Sequence, residues 1–177
     1  MTTHQRAQYR GAIIKNLLEA DILSGHTRVG FYWPLPGEID LHPLVVDFVK
    51  RGNTAALPVI TGPKQPLEFC KWSPGDTLSD SGPWGILAPA RRQPVEVSLL
   101  LVPMVGFDDQ GHRLGHGGGY YDRTLASMAP QPIAIGIGYE ACRLRSIFPQ
   151  PHDIPMDAIV TESNVDRNKT GKLQSGR

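Results

Sequence analysis

The sequence predicts a three-layer, Rossmann-like α/β domain built on a mostly parallel central sheet. A strand–helix–strand succession fills residues 28–60, the pattern of a crossover unit joining two parallel strands. Two continuous apolar runs, Leu99-Leu100-Leu101-Val102 and Ile133 to Ile137, read as strands buried on both faces, as parallel strands are. Helical patterns fall between the strands rather than in a block of their own, which separates this class from one with segregated helices. At 177 residues and 19.4 kDa the chain is the size of one domain, 1–177, and no internal linker invites a cut.

Each element carries its own signal. From Gln5 to Ile22 the rhythm is helical: Ile13, Leu17 and Leu18 share a face that Ala20 and Ile22 extend, Arg10 and Lys15 point elsewhere, and Gly25 ends the run. Arg28 to Trp33 is a strand stopped by Pro34 and Pro36. A helix spans Leu41 to Arg51, with Asp40 as N-cap and Gly52 as terminator. Thr54 to Ile60 is a strand despite Pro58, and Leu67 to Trp72 alternates like a half-exposed one. Turn chemistry around Gly75, Gly82-Pro83 and Pro89 precedes the apolar run from Val95 to Val102, which Pro103 ends. The segment after Pro103 lies beyond that strand's carboxyl end, where open α/β sheets bind ligands. Tyr120 to Met128 is a helix, and Asp157 to Thr161 is read as the last strand. Residues 163–177 are a basic tail, in which Arg167, Lys169, Lys172 and Arg177 come after Asp166 without an acid.

Composition narrows the function. Hydrophobic residues are 40% of the chain and charged ones 20%, so it folds. Eighteen Lys and Arg against 17 Asp and Glu leave a net charge of +1, which argues against a dedicated nucleic-acid surface. No run approaches the roughly 20 apolar residues of a membrane span, and the amino terminus has no apolar core of a signal peptide. Cys70 and Cys142 form no disulfide framework and read as reduced thiols of a cytoplasmic protein.

The densest chemistry is Arg113-Leu114-Gly115-His116-Gly117-Gly118-Gly119-Tyr120-Tyr121-Asp122. Its glycines leave backbone N–H groups accessible and permit positive φ, so consecutive amides can curl around an anion. The helix that starts at Tyr120 adds its free N–H groups and positive dipole end, and Arg113 adds a fork of donors. From the residues alone this is either a phosphate cradle or a tight surface turn. Asp122 beside it is either a helix-end acid or the ligand of a Mg²⁺ lying between carboxylate and phosphate, and Asp157 is either a second ligand or a strand-end acid. The dinucleotide-like Gly136-Ile137-Gly138 lacks its ribose-binding acid, and His112 and His116 lack the helix that zinc spacing requires. A second site lies in Phe31-Tyr32-Trp33-Pro34-Leu35-Pro36-Gly37-Glu38, where aromatic faces and the Glu38 carboxylate suit a flat amino-substituted heterocycle. Phe69 and Trp84 are further candidate walls.

The landmarks FYWPLPGEID (31–40), LLVPMVGFD (100–108), RLGHGGGYYD (113–122) and MDAIVTE (156–162), in that order, resemble the 5-formyltetrahydrofolate cyclo-ligase family over about residues 28–162. The resemblance implies a cyclo-ligase-like fold and ATP-dependent closure of 5-formyltetrahydrofolate to 5,10-methenyltetrahydrofolate, with ADP and phosphate released. It implies that Arg113, Leu114, Gly115, His116, Gly117, Gly118, Gly119, Tyr120 and Tyr121 contact ATP, with Arg113, His116 and Tyr121 as catalytic candidates. It further implies that Glu38, Trp33, Trp84, His116, Gly119 and Tyr120 border the folate, and that Asp122 and Asp157 hold Mg²⁺. The expected partner is the folate alone, with the chain a monomer and a weak homodimer as the alternative. Family chains usually open with a basic helix that helps hold the phosphates; here the first strand near residue 28 leaves room for one helix before it, and Arg6 or Arg10 is the candidate substitute, without a residue-by-residue match. His116, Gly118 and Ala88 also depart from commoner family residues. The competing function is a folate- or nucleotide-binding relative without turnover.

Overall fold

The computed structural model describes residues 1–82, 85–168 and 172–173. Among these residues three α-helices, α1 (Thr3–Glu19), α2 (His42–Lys50) and α3 (Tyr120–Ser127), flank a seven-stranded sheet. In chain order its strands are β1 (Arg28–Gly30), β2 (Thr54–Ile60), β3 (Leu67–Trp72), β6 (Leu99–Pro103), β9 (Ile133–Ile137), β10 (Ala158–Val160) and β11 (Val165–Arg167). Two small hairpins, β4 (Leu78–Asp80) with β5 (Leu87–Pro89) and β7 (Gly106–Phe107) with β8 (Arg113–Leu114), hang from it.

The spatial order is β11-β10-β9-β6-β1-β2-β3. Its five inner strands are parallel, and β3 and β11 close the edges antiparallel. Period-two burial assigns each inner strand's residues to two cores. Leu57, Leu99, Leu101, Ile135, Ile137 and Val160 face Ile13 and Leu17 of α1 and Leu44, Val45 and Phe48 of α2. Ala56, Leu100, Val102, Ala134 and Ile159 face the other way, onto Leu125 of α3 with Phe69, Phe107 and Met156. Sheet and two helical layers thus make the three predicted layers.

This order decides where a ligand can sit. The chain leaves β1 through α2 to β2 on one side, and leaves β6 through α3 to β9 on the other. Right-handed crossovers in opposite directions put α2 and α3 on opposite faces, which opens a crevice beyond the carboxyl ends of β1 and β6.

Several expectations shift. The first helix ends at Glu19 rather than Ile22, because Asp21 turns left-handed (φ 56°) and starts a turn. The first strand stops at Gly30, although the Phe31 N–H still donates to Ala56 O (2.9 Å). Asp40 sits one place before the N-cap Leu41 and accepts from the His42 N–H at 2.9 Å. Strand β6 starts at Leu99, four residues after Val95. β10 is not the last strand: Val165–Arg167, inside the expected tail, pairs antiparallel with it as β11, and Arg167 donates to Ala20 O at 2.8 Å. Residues 169–171 and 174–177 of that tail lie outside the described residues. Among the described residues no helix is long and apolar enough to cross a membrane.

Candidate active site

A cleft of about 360 Å³ opens beyond the carboxyl ends of β1 and β6. Residues 113–122 form its floor, Tyr32, Trp33 and Glu38 come after β1, Ile60 and Leu67 flank the β2–β3 turn, and Ile147 to Asp153 close the side toward β9 and β10.

The loop takes its shape from its glycines. Gly117 (φ 88°) and Gly119 (φ 63°) are left-handed, and Gly119 is the N-cap of α3. A side chain at Gly119 would strain the backbone and meet Arg123 Nη2 3.3 Å from its Cβ. α3 is tied down by Thr124, whose hydroxyl donates to Tyr120 O (2.6 Å) and accepts from the Leu67 N–H (2.8 Å). Its first-turn N–H groups therefore sit on a fixed support beside the cleft.

Arg113 is held on edge within the loop. Its side chain is 6% exposed, pairs with Asp122 Oδ2 at 3.4 Å and lies 5.1 Å over the Tyr121 ring. Its Nε has no hydrogen-bond partner among the described residues, which leaves a buried donor for a ligand or water. Asp122 also accepts from the Ile154 N–H at 3.1 Å. Tyr121 is buried enough that its phenol is pushed well above the usual value, so it is a neutral donor across physiological pH and no base.

Glu38 meets the loop across the cleft. Its carboxylate, 10% exposed, accepts from the Leu35 N–H (2.8 Å) and is bonded to His116 Nε2 (3.0 Å), while the imidazole is 47% exposed. The two segments found separately in the sequence are thus one site. Tyr32 walls it with its ring and anchors its hydroxyl on Ile39 O at 2.8 Å. Trp33 stands edge-on to His42 (5.2 Å) and Trp72 (6.4 Å), a stack that fixes the indole.

Not every candidate joins them. Asp157, 2% exposed, lies just before β10 at the amino-terminal edge of the sheet; it accepts from the Ala134 N–H at 2.8 Å, with Lys172 Nζ at 3.9 Å, and is not in the cleft. The pattern of a strand-entry acid carries no information about which edge of the sheet it occupies. Phe69 packs in the core on the α3 side. Ala88 is a buried β5 residue beside Val59 and Cys70, and Arg10 pairs with Asp40 at 3.5 Å. Trp84 lies outside the described residues. Sequence reasoning missed Ile60, Leu67, Ile86 and the segment from Ile147 to Asp153 as cleft walls. The proline-rich PQPHDIP run was the available signal, since irregular segments between buried strands are where sites collect.

Among the described residues no three His, Cys, Asp or Glu side chains form a preformed metal cage. Mg²⁺ binds through one or two carboxylates plus substrate phosphates, so the donors to weigh are the acids of the cleft. Beside Glu38, the acids lining the cleft are Asp122 and Asp153.

The model of the 5-formyltetrahydrofolate cyclo-ligase family matches residues 1–162. The chain is 28% identical over 167 residues to a 5-formyltetrahydrofolate cyclo-ligase of Haemophilus influenzae, covering 90% of this chain and 89% of that one. With the Escherichia coli K12 protein of the same name it shares 31% over 153 residues, 81% and 82% of the two chains. Among solved structures it resembles Aquifex aeolicus 5,10-methenyltetrahydrofolate synthetase with a TM-score of 0.81 and 30% identity, over 100% of this chain and 90% of that one. A Mycoplasma pneumoniae synthetase shares the fold at 22% identity and a TM-score of 0.74, over 92% and 90% of the two chains.

Proposed function

The chain belongs to the 5-formyltetrahydrofolate cyclo-ligase family, and on that premise we propose that it performs the ATP-dependent cyclisation of 5-formyltetrahydrofolate to 5,10-methenyltetrahydrofolate. The observation that supports this most is that the glycine loop and Glu38 line one cleft, joined through His116 at 3.0 Å. The chemistry needs such a meeting. The substrate's N5-formyl oxygen takes the γ-phosphoryl group as ADP leaves, its own N10 closes the ring on the activated carbon, and phosphate departs.

Each residue has a job in that sequence. Glu38 receives the amino-substituted edge of the pterin through paired hydrogen bonds, with His116 moving aside to release the carboxylate. Trp33 and Tyr32 wall the ring. Backbone N–H groups from Gly115 to Tyr121 and the free Arg113 Nε–H surround the charge that develops on the phosphoryl group, and the Tyr121 hydroxyl contributes as a neutral donor. Asp122, with Asp153 on the facing segment, would hold Mg²⁺, which when bound would neutralise charge on the phosphates. Asp157 takes no part in this arrangement. No side chain forms a covalent bond, because N10 already belongs to the substrate. Every residue given a role here comes from one chain, which supports a monomer as the working unit, and the free thiols of Cys70 and Cys142 suit the reducing cytoplasm.

The test is absorbance of the methenyl chromophore on mixing protein with 5-formyltetrahydrofolate. Product is expected only with both ATP and Mg²⁺. Tight folate binding without product under those conditions would instead mark a binding relative.

A further inference from the structure

Phe148, a large aromatic residue, belongs to no core cluster among the described residues. It lines the cleft and yet is 83% exposed. Its φ is 54°, a left-handed backbone that a bulky side chain adopts only when its surroundings impose it. The neighbouring hydrogen bonds do impose it. The Ile147 N–H donates to Oδ2 of buried Asp108 at 3.3 Å, and the Phe148 N–H donates to Ser146 Oγ at 2.9 Å. On the other side the Phe148 carbonyl accepts from Gln150 Nε2 at 3.3 Å, and the Gln150 N–H donates to Asp153 Oδ2 at 2.7 Å. Four bonds thus hold an aromatic ring in water at the rim of a binding cleft, a conformation found where strain serves a ligand.

The order of the walls indicates which ligand. Glu38, Ile60 and Leu67 belong to the β1–β2–β3 end, the glycine loop and Asp122 to the middle, and Ile147 and Phe148 to the β9–β10 end. Direct transfer places the γ-phosphate next to the formyl group, so the rest of the nucleotide runs from the loop away from Glu38. We infer that Phe148 stacks on the purine base of ATP and is the residue by which this cleft distinguishes a base-bearing nucleotide from a bare polyphosphate. The inference rests on the reaction proposed above.

Calorimetric binding of ADP with Mg²⁺, inorganic tripolyphosphate with Mg²⁺, and 5-formyltetrahydrofolate to the full-length protein and to Phe148→Ala and Phe148→Trp tests it. Aromatic–base stacking predicts about a tenfold loss of ADP affinity in Phe148→Ala, recovered in Phe148→Trp. Tripolyphosphate and folate affinities stay unchanged, as does the melting temperature. Unchanged ADP affinity in Phe148→Ala overturns the inference, as does an equal loss for tripolyphosphate or a loss confined to folate. A wild-type protein that binds no ADP overturns the inference and the proposed reaction together. One that binds ADP, loses it on Phe148→Ala and yields no methenyl product overturns the reaction alone.

Discussion

Asp122 and Glu38 are both carboxylates in one cleft, and under the proposed reaction their neighbours suit them to different work. Asp122 sits at the first turn of α3 against Arg113 and beside a row of N–H groups, surroundings that attract a phosphate, which in the proposed reaction brings the metal with it. Glu38 is nearly enclosed, with one oxygen on a backbone N–H and the other on an imidazole that a ligand can displace. Replacing each by its amide therefore separates two kinetic quantities. Asp122→Asn is expected to lower kcat by roughly 100-fold or more and raise the Mg²⁺ requirement, since metal and phosphoryl charge lose their carboxylate. Glu38→Gln is expected to raise the KM for 5-formyltetrahydrofolate by roughly 10- to 100-fold, the value of a charged hydrogen bond, with a smaller change in kcat. Steady-state kinetics with each substrate varied in turn checks the split; equal effects on both quantities in both variants would reject it.

At the scale of elements, two glycines of the same composition have opposite meanings. Gly30 ends β1 under the cleft because a Cβ there would lie 2.5 Å from Leu100 Cδ2 and 2.9 Å from Phe69 Cε1. Gly11 lies in the middle of α1 with nothing within 4 Å of its Cβ position. Gly30→Ala is expected to destabilise by about 1–3 kcal/mol through overpacking, lowering Tm by roughly 5 °C. Gly11→Ala is expected to stabilise by about 0.5–1 kcal/mol, since only helix propensity changes. Thermal melts of both variants decide this, and a matching sign would contradict the packing described for β1 and β6.

Across the whole molecule, one side chain joins parts far apart in sequence. Arg143 pairs with Glu140 in the 3₁₀ turn after β9, with Asp109 in the β7–β8 turn (2.6 Å) and with Asp166 in β11, and it lies 4.8 Å over the Phe107 ring. Its hydrogen bonds, with a further one from Thr161, hold the Glu140 carboxyl below its usual value of 4.5. A carboxyl depressed in the folded state adds stability that is complete above that ordinary value and is lost as pH falls through the lower, folded one. Glu140→Gln is therefore expected to cost roughly 1–2 kcal/mol near neutral pH, the range of a partly exposed charged bond. The variant also flattens the fall of Tm on acidification below about pH 4.5. Parallel Tm–pH curves for the two proteins would dismiss the role given to this knot.

The layered α/β class was legible in residues such as Leu99 to Val102, because a strand buried on both faces needs an unbroken apolar run whatever its neighbours are. The loop from Arg113 to Asp122 was legible for a similar reason, since a backbone that turns left-handed at Gly117 and Gly119 beside a helix start depends on local φ alone. The short hairpins and β11 were not, because strands of two or three residues carry too little period and take their identity from a partner. Nor could periodicity reveal that Glu38 and His116, 78 residues apart, would share a hydrogen bond, or that Asp157 would sit at the opposite edge of the sheet from Asp122. Local conformation and burial are set by neighbours along the chain, but the choice of which loops face each other belongs to strand order, and strand order is settled by crossover handedness and packing of the folded whole.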